Sequence, residues 1–387
     1  MPFVHSTRLP HVLPPSAYHD EAHYRLEVER LLLPAWHLVG SKAELSRPGD
    51  FLTVELLGRP IQVRNFDGEL RALSNVCAHR HALIASERCG RSSTMRCQYH
   101  GWEYERSGRT RRIPQAKCFA PIDRQALRLP SYAIATCGQL VFVSLADDPA
   151  PLAEQLGDLH ATCETRFGAG WRPSLRWERE LAVNWKIPIE NSLEAYHVPA
   201  VHPLTFKADP GEQRSEHRLE ARWTSFTTRL PFHPHSRSDA VLQRVEGWFV
   251  RAMGATPTAN YCQCHCFPNL LFSFTDTVSL CQAVIPMGPT TARSVLRQFG
   301  RAPAAGQPWR RLLGMGWGKF AAAITRQIQS EDMRLYSAIQ QGLLHSRVPG
   351  ILGRCEERIH AFQAYVARAC HEADAARETC DPVGIEN

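Results

Sequence analysis

No stretch of the 387-residue chain is long and apolar enough to cross a bilayer. Its apolar runs, such as Leu31-Leu32-Leu33 and Val141-Phe142-Val143, fall far short of the ~20 residues a spanning helix needs. No association with a membrane is expected. No N-terminal segment joins a basic region to an apolar core, so secretion is not expected and the cytoplasm is the expected compartment. Lys and Arg never run to five in a row, and the net charge is only +7 from 45 basic and 38 acidic residues. Nucleic acid is therefore not an expected partner. Internal repeats, low-complexity tracts and flavin or nicotinamide fingerprints are absent. The Gly314–Lys319 stretch has neither the spacing nor the preceding strand of a phosphate loop. With 44% hydrophobic and 21% charged residues, the chain is of ordinary globular composition.

Cysteine is plentiful by contrast, at 13 residues. Disulfide frameworks belong to small secreted domains, and this chain is large enough for a core of its own. Reduced cysteines are expected, some of them binding metal. At roughly 100–200 residues per domain, two domains are expected. Residues 1–45 read as an irregular arm and a helix over 18–39 that runs into the apolar Trp36–Gly40. Residues 46–150 carry short alternating runs at 51–56, 61–64 and 140–143, separated by turn signals such as Asp67-Gly68 and Ser107-Gly108, which predicts antiparallel β structure. Asp147–Pro151 reads as a linker. Residues 151–387 mix helix (152–167, 190–200, 309–344, 354–371) with strands near 175–183 and across 218–285. The basic cluster Arg106, Arg109, Arg111 and Arg112 reads as a solvated hairpin, or as a docking patch for an acidic electron donor.

Within the β region, Cys77-Ala78-His79 is followed after 17 residues by Cys97-Gln98-Tyr99-His100-Gly101-Trp102. Zinc uses the same ligand types. Here, however, each loop carries one Cys and one His, so both thiolates can meet one iron and both imidazoles another. That is the Rieske [2Fe–2S] arrangement. With Asn75, Val76, Arg80 and Glu103-Tyr104 alongside, the segment resembles the Rieske oxygenase family. Cys89, between the loops, lies outside the pattern.

A second constellation lies in Asn184–Pro203. Glu194 and His197, three residues apart, would share a helical face, and His202 can swing back past Pro199 toward the same point. Two imidazoles and one carboxylate make the facial triad of non-haem iron oxygenases. The family resemblance implies that the carboxylate comes from a late helix: Asp332, with Glu331 as the alternative. It also implies that Glu194 bridges His197 to His100 of a neighbouring subunit, as an acid behind the ligands, and that Asn191 lies near the iron. Cys262, Cys264 and Cys266 alternate onto one face of a predicted strand and His265 onto the other, which reads as core. Trp223, Phe226, Phe232, Trp248, Phe249 and Phe274 are expected in the core, a few of them shaping a pocket.

The resemblance implies an α+β chain: an antiparallel β Rieske domain (46–150) and a larger catalytic domain (151–387), an antiparallel sheet flanked by helices in a helix-grip arrangement. It implies a [2Fe–2S] cluster on Cys77, His79, Cys97 and His100, and a mononuclear Fe(II) on His197, His202 and Asp332. The implied partners are a separate NAD(P)H-dependent reductase, a ferredoxin in some systems, O₂ and a small organic substrate. A homotrimer (α3) is expected, with α3β3 as the variant. Hydroxylation of an aromatic compound is the first expectation. Oxidation or demethylation of a quaternary amine of the betaine, choline or carnitine kind is the alternative, and a Rieske electron carrier without oxygenase activity the remote one.

Overall fold

The structure is a computed structural model that describes residues 3–203, 205–206, 208–232, 236–303 and 308–371. The chain opens with a short strand, β1 (Leu9–Pro10), and helix α1 (Glu21–Glu27). The Asp20 carboxylate caps α1 by accepting from the Ala22 and His23 N–H groups. After a π-helical turn over Val28–Leu32, the chain becomes extended as β2 (Trp36–Ser41). The helix predicted over 18–39 therefore stops early. Every residue of β2 is buried, and such a run has no period to distinguish strand from helix.

Two compact units follow from the contacts, Pro34–Ala169 and Met1–Leu33 with Gly170–Asn387. The first contains β2, β3 (Asp50–Leu56), β4 (Arg59–Phe66), β5 (Glu69–Ser74), β6 (Cys89–Arg91), β7 (Met95–Arg96), β8 (Glu103–Tyr104), β9 (Thr110–Arg112), β10 (Ser131–Cys137) and β11 (Leu140–Ser144). A seven-stranded antiparallel sheet runs β2-β11-β10-β5-β4-β3-β6, and β7-β8-β9 form a smaller one. The β4–β5 hairpin turns at Asp67-Gly68, both at positive φ (53° and 97°), as a two-residue hairpin turn requires. Helices α2 (Leu152–Leu156) and α3 (Leu159–Arg166) complete the unit. Three arginines of the basic cluster are ion-paired at the surface, Arg106 with Glu69, Arg109 with Glu105 and Arg112 with Glu103.

The second unit adds β12 (Trp171–Leu181), α4 (Lys186–Ser192), α5 (Val198–Val201), β13 (Glu216–Leu219), β14 (Trp223–Arg229), α6 (Arg237–Ala252), β15 (Asn260–Cys266), β16 (Leu270–Phe274), β17 (Val278–Gly288), β18 (Thr291–Arg301), α7 (Pro308–His345), β19 (Ile351–Leu352) and α8 (Glu357–His371). Its seven-stranded antiparallel sheet runs β12-β18-β17-β16-β15-β14-β13. Helix α7 packs on β12 and β18, and α8 on β13 and β14. Helix α7 contains the Gly314–Lys319 stretch.

Buried polar contacts fix the entry to α4. The Asn184 backbone N–H donates to Gln340 Oε1 (2.7 Å), its amide to Pro289 O (2.8 Å). Trp185 Nε1 donates to Glu27 Oε2 (2.8 Å), and fully buried Lys186 donates to Glu27 Oε1 (2.5 Å). At the far end of α4, Glu190 Oε1 accepts from Tyr18 (2.5 Å) and Gln363 (3.0 Å). Burial pushes the Glu190 carboxyl up from its ordinary range.

Glu357, at the start of α8, accepts from the backbone N–H groups of Val4 and His5 and lies 3.0 Å from His217 Nδ1. Burial alone would raise its pKa, but these hydrogen bonds outweigh it and hold it at about 2, against an ordinary 4.5. A depressed carboxylate contributes stability that is complete above its unfolded pKa and is lost as pH falls toward the folded one. At 1.36 kcal/mol per pKa unit, the contribution is up to about 3 kcal/mol. Urea denaturation of wild type and Glu357→Gln is expected to show a stability gap at pH 6 that shrinks between pH 4.5 and pH 3. A gap independent of pH would refute the ionised role.

Candidate metal centres and substrate cavity

Cys77 and Cys97 occupy two matched turns. The Cys77 carbonyl accepts from His81 N–H (3.0 Å) and the Cys97 carbonyl from Gly101 N–H (3.0 Å), and each turn closes on a residue at positive φ. Asn75 staples the first turn by exchanging two hydrogen bonds with the Ala85 backbone. Both thiols are buried, and the Tyr104 hydroxyl lies 3.0 Å from Cys77 Sγ. The His79 and His100 rings approach to 4.7 Å. His79 stacks flat on Trp102 (4.8 Å, 3°), whereas His100 is exposed. His79 Nδ1 is buried without a hydrogen-bond partner. Desolvation, then His100 and Arg80, lower the His79 pKa and favour the neutral ring that metal ligation needs. Two buried thiols and two adjacent imidazoles, one with an orphaned nitrogen, fit the ligand set of a Rieske cluster.

The second centre joins three elements. His197 and His202 flank α5, and Asp332 reaches them from α7. His202 Nε2 lies 3.0 Å and His197 Nε2 3.6 Å from Asp332 Oδ1. All three ligand atoms fall within 4.8 Å of one another. Glu194 and His197 do not share a helix as predicted, because the chain leaves helical geometry between α4 and α5. Glu194 instead folds its carboxylate over the following turn. One oxygen accepts the His197 backbone N–H (2.9 Å) and the other bonds His197 Nδ1. Asn191 lines the same site and bonds the Tyr336 hydroxyl.

Glu331 stands elsewhere than its neighbour. Its Oε2 accepts from His202 Nδ1 (2.7 Å) and Thr205 (3.0 Å), and its Oε1 from Gln327 (2.8 Å). It thus orients the His202 imidazole from behind, while Asp332 faces the opening between the rings. Sequence reasoning missed this role, although the adjacent acids Glu331-Asp332 carried the signal. Burial lowers the His202 pKa, but Asp332 and Glu331 outweigh it and raise it overall. The site therefore favours positive charge. Two imidazoles with three nearby carboxylates fit a divalent iron.

A cavity of about 250 Å³ opens beside this centre. Helix α7 contributes Ile324, Thr325, Ile328, Gln329 and Asp332, and the sheet Phe226, Tyr261, Gln263, Ser273 and Gln282 among others. Phe206 and Phe232 stack at 4.9 Å, and Tyr261 meets Phe232 edge-on at 5.6 Å. Buried Arg358 donates to Gln263 Oε1 (2.9 Å), which turns the Gln263 NH₂ away from Arg358. Of the aromatics expected in the core, Phe226 and Phe232 line the cavity, Phe249 and Phe274 are buried, and Trp248 is 56% exposed on α6. The three β15 cysteines lie off the cavity, with Cys262 and Cys264 Sγ 3.7 Å apart, while Tyr261 and Gln263 face it.

Residues 35–133 match the Rieske [2Fe-2S] domain family, and residues 169–372, more than half of the chain, the ring-hydroxylating alpha-subunit catalytic domain. The chain belongs to the Rieske ring-hydroxylating oxygenase alpha-subunit family, an oxidoreductase family with a [2Fe–2S] cluster and a mononuclear iron. It is 29% identical over 196 residues to the glycine betaine monooxygenase oxygenase subunit of Pseudomonas aeruginosa, covering 50% of this chain and 46% of that one. It is 30% identical over 200 residues to the chlorobenzene dioxygenase alpha subunit of a Cupriavidus strain, covering 49% and 44%. The chain thus spans about half the length of these relatives. Against the chloroplastic choline monooxygenase of Spinacia oleracea, the identity is 25% over 345 residues, 86% of this chain and 72% of that one. A quaternary ammonium Rieske monooxygenase solved with L-carnitine superposes with a TM-score of 0.72 over 96% of this chain and 97% of that one, at 18% identity. The α+β fold of both units is the fold of this family. No described helix is long and apolar enough to cross a membrane.

Proposed function

We propose that this chain is the terminal oxygenase component of a Rieske system that oxidises a small quaternary ammonium compound, with O₂ and with electrons from NAD(P)H through a separate reductase. The wall of the cavity carries this reading: Phe206, Phe226, Phe232 and Tyr261 gather beside a carboxylate-rich centre. Aromatic faces attract a desolvated quaternary ammonium by as much as ~2 kcal/mol. The names of the betaine and choline relatives point the same way. An aromatic hydrocarbon, the first expectation from the sequence, suits the cavity less well. Gln263 lines it with its NH₂ turned away from Arg358, and a hydrocarbon offers that donor no acceptor.

In this reading Cys77, His79, Cys97 and His100 hold the cluster, and His197, His202 and Asp332 hold the iron. When bound, these groups supply one-electron transfer and O₂ activation. Glu194 and Glu331 fix the orientation of the two ligand imidazoles. The aromatic wall seats the ammonium, and the Gln263 NH₂ donates to the substrate's polar end. The assembly we propose is a homotrimer, in which the exposed His100 ring meets Glu194 of a neighbour.

Oxygen uptake by the iron-loaded chain with a reductase tests the substrate class. Choline or glycine betaine is expected to stimulate uptake. The neutral isostere 3,3-dimethylbutan-1-ol is expected to bind ~30-fold more weakly, the equivalent of ~2 kcal/mol. Gln263→Leu is expected to raise KM by roughly 5–100-fold with little change in kcat. Uptake with toluene and none with quaternary amines would return the assignment to aromatic substrates.

A further inference from the structure

A third group of metal-ligating side chains, sharing no residue with either centre, lies in the Pro34–Ala169 unit. Cys137 closes β10, while His160 and Glu164, four residues apart, share one face of α3. Cys137 Sγ, one His160 nitrogen and one Glu164 oxygen all lie within 4.8 Å of one another. The His160 ring and the Glu164 carboxylate have no hydrogen-bond or ionic partner among the described residues. The Cys137 thiol makes only a weak contact, 3.6 Å to His160 O.

The backbone holds these groups in place without help from an ion. Gly138 sits at φ +55° against Phe167, so close that a Cβ there would meet the Phe167 backbone at 2.8 Å. Gln139 donates from its backbone to Phe167 O (3.0 Å) and from its amide to Gly168 O (3.0 Å). The β10–β11 turn is thereby tied to the end of α3, and Cys137 faces His160 and Glu164. Cys137 is buried, His160 half-buried and Glu164 exposed, which gives an ion a path from solvent to the thiol.

We infer that Cys137, His160 and Glu164 form a zinc site that braces the β10–β11 turn against α3. Thiolate sulfur, imidazole nitrogen and carboxylate oxygen are the ligand types of tetrahedral zinc, with water in the fourth position. In such a site ligand atoms lie roughly 3.5 Å apart, so modest side-chain rotations close the set. A thiolate and a carboxylate balance the dication. Binding expels the Cys137 thiol proton to solvent, and no electron moves.

The test uses the full chain with its iron sites filled, dialysed against micromolar Zn²⁺. The expected result is one zinc per chain, with a single sulfur scatterer at about 2.3 Å in zinc-edge X-ray absorption. The iron content and visible spectrum should stay unchanged, which excludes displacement of iron. His160→Gln and Glu164→Gln lie toward solvent, so they test the site even if Cys137→Ser fails to fold. Each is expected to weaken zinc binding by at least ~10-fold, since even groups behind a ligand are worth that much. Zinc should raise the thermal transition of wild type and not of these variants. No retained zinc, a shell without sulfur, or unchanged affinity in both variants would overturn the site.

Discussion

Asp332→Ala is expected to leave the chain folded, its two-iron spectrum intact, and its turnover abolished. Iron should fall from about three per chain to about two, because two imidazoles alone are an incomplete ligand set for non-haem iron. The carboxylate lies 3.0 Å from His202 Nε2 and 3.6 Å from His197 Nε2, and among the described residues no other carboxylate oxygen joins that triangle. Glu331→Gln supplies the contrast. Glu331 contacts His202 on its Nδ1 side, and an amide oxygen can still accept there. Its loss should therefore stay within the ~10–100-fold in iron affinity typical of groups behind a ligand. Iron counts, visible absorption and substrate-dependent O₂ uptake measured on both variants decide the assignment. An active Asp332→Ala variant with full iron, or a Glu331→Gln variant that loses more than Asp332→Ala, would move the ligand to Glu331.

The parts of this site that could be read in the sequence are those packed into short segments. Cys77-Ala78-His79 and Cys97–His100 each bring a Cys and a His together within one turn, so spacing alone carries the geometry. His197 and His202 likewise flank a single short helix. Contacts across long separations were not legible. Glu331 reaches His202 from 129 residues away, Gln363 reaches Glu190 from 173, and the Arg358 contact that orients Gln263 spans 95. The adjacent acids on α7 illustrate the limit. A helix turns about 100° per residue, so one acid faces the opening between the rings and the other the back of His202. Which is which depends on how α7 is rotated against β12 and β18, and nothing local fixes that rotation. Trp36–Ser41 failed for another reason: its burial is set by pairing with β11, more than 100 residues later.

Glu194→Gln is the second large effect expected, and it separates holding iron from using it. Both Glu194 oxygens accept from His197, one from the backbone N–H and one from Nδ1. The carboxylate keeps lone pairs free for one more imidazole N–H. An amide keeps the shape but has a single acceptor oxygen. Whichever way it is turned, its NH₂ faces an N–H donor. If the oxygen stays with Nδ1, the backbone bond is lost; if it stays with the backbone, the His197 ring loses its charge-assisted partner, and its basicity falls. Iron at the His197 centre should therefore remain within ~10-fold of wild-type affinity, since all three proposed ligands survive. Reduction of the cluster by dithionite should be unchanged, because its four proposed ligands lie in the other unit. What should fall, by roughly 10–100-fold, is oxidation of the reduced cluster in a single turnover with substrate and O₂. In the trimer we propose, Glu194 serves two imidazoles at once, and the amide cannot. A Gln variant that oxidises its cluster at the wild-type rate would remove Glu194 from the electron path. A wild-type enzyme equally active as an isolated monomer would remove the path between subunits itself.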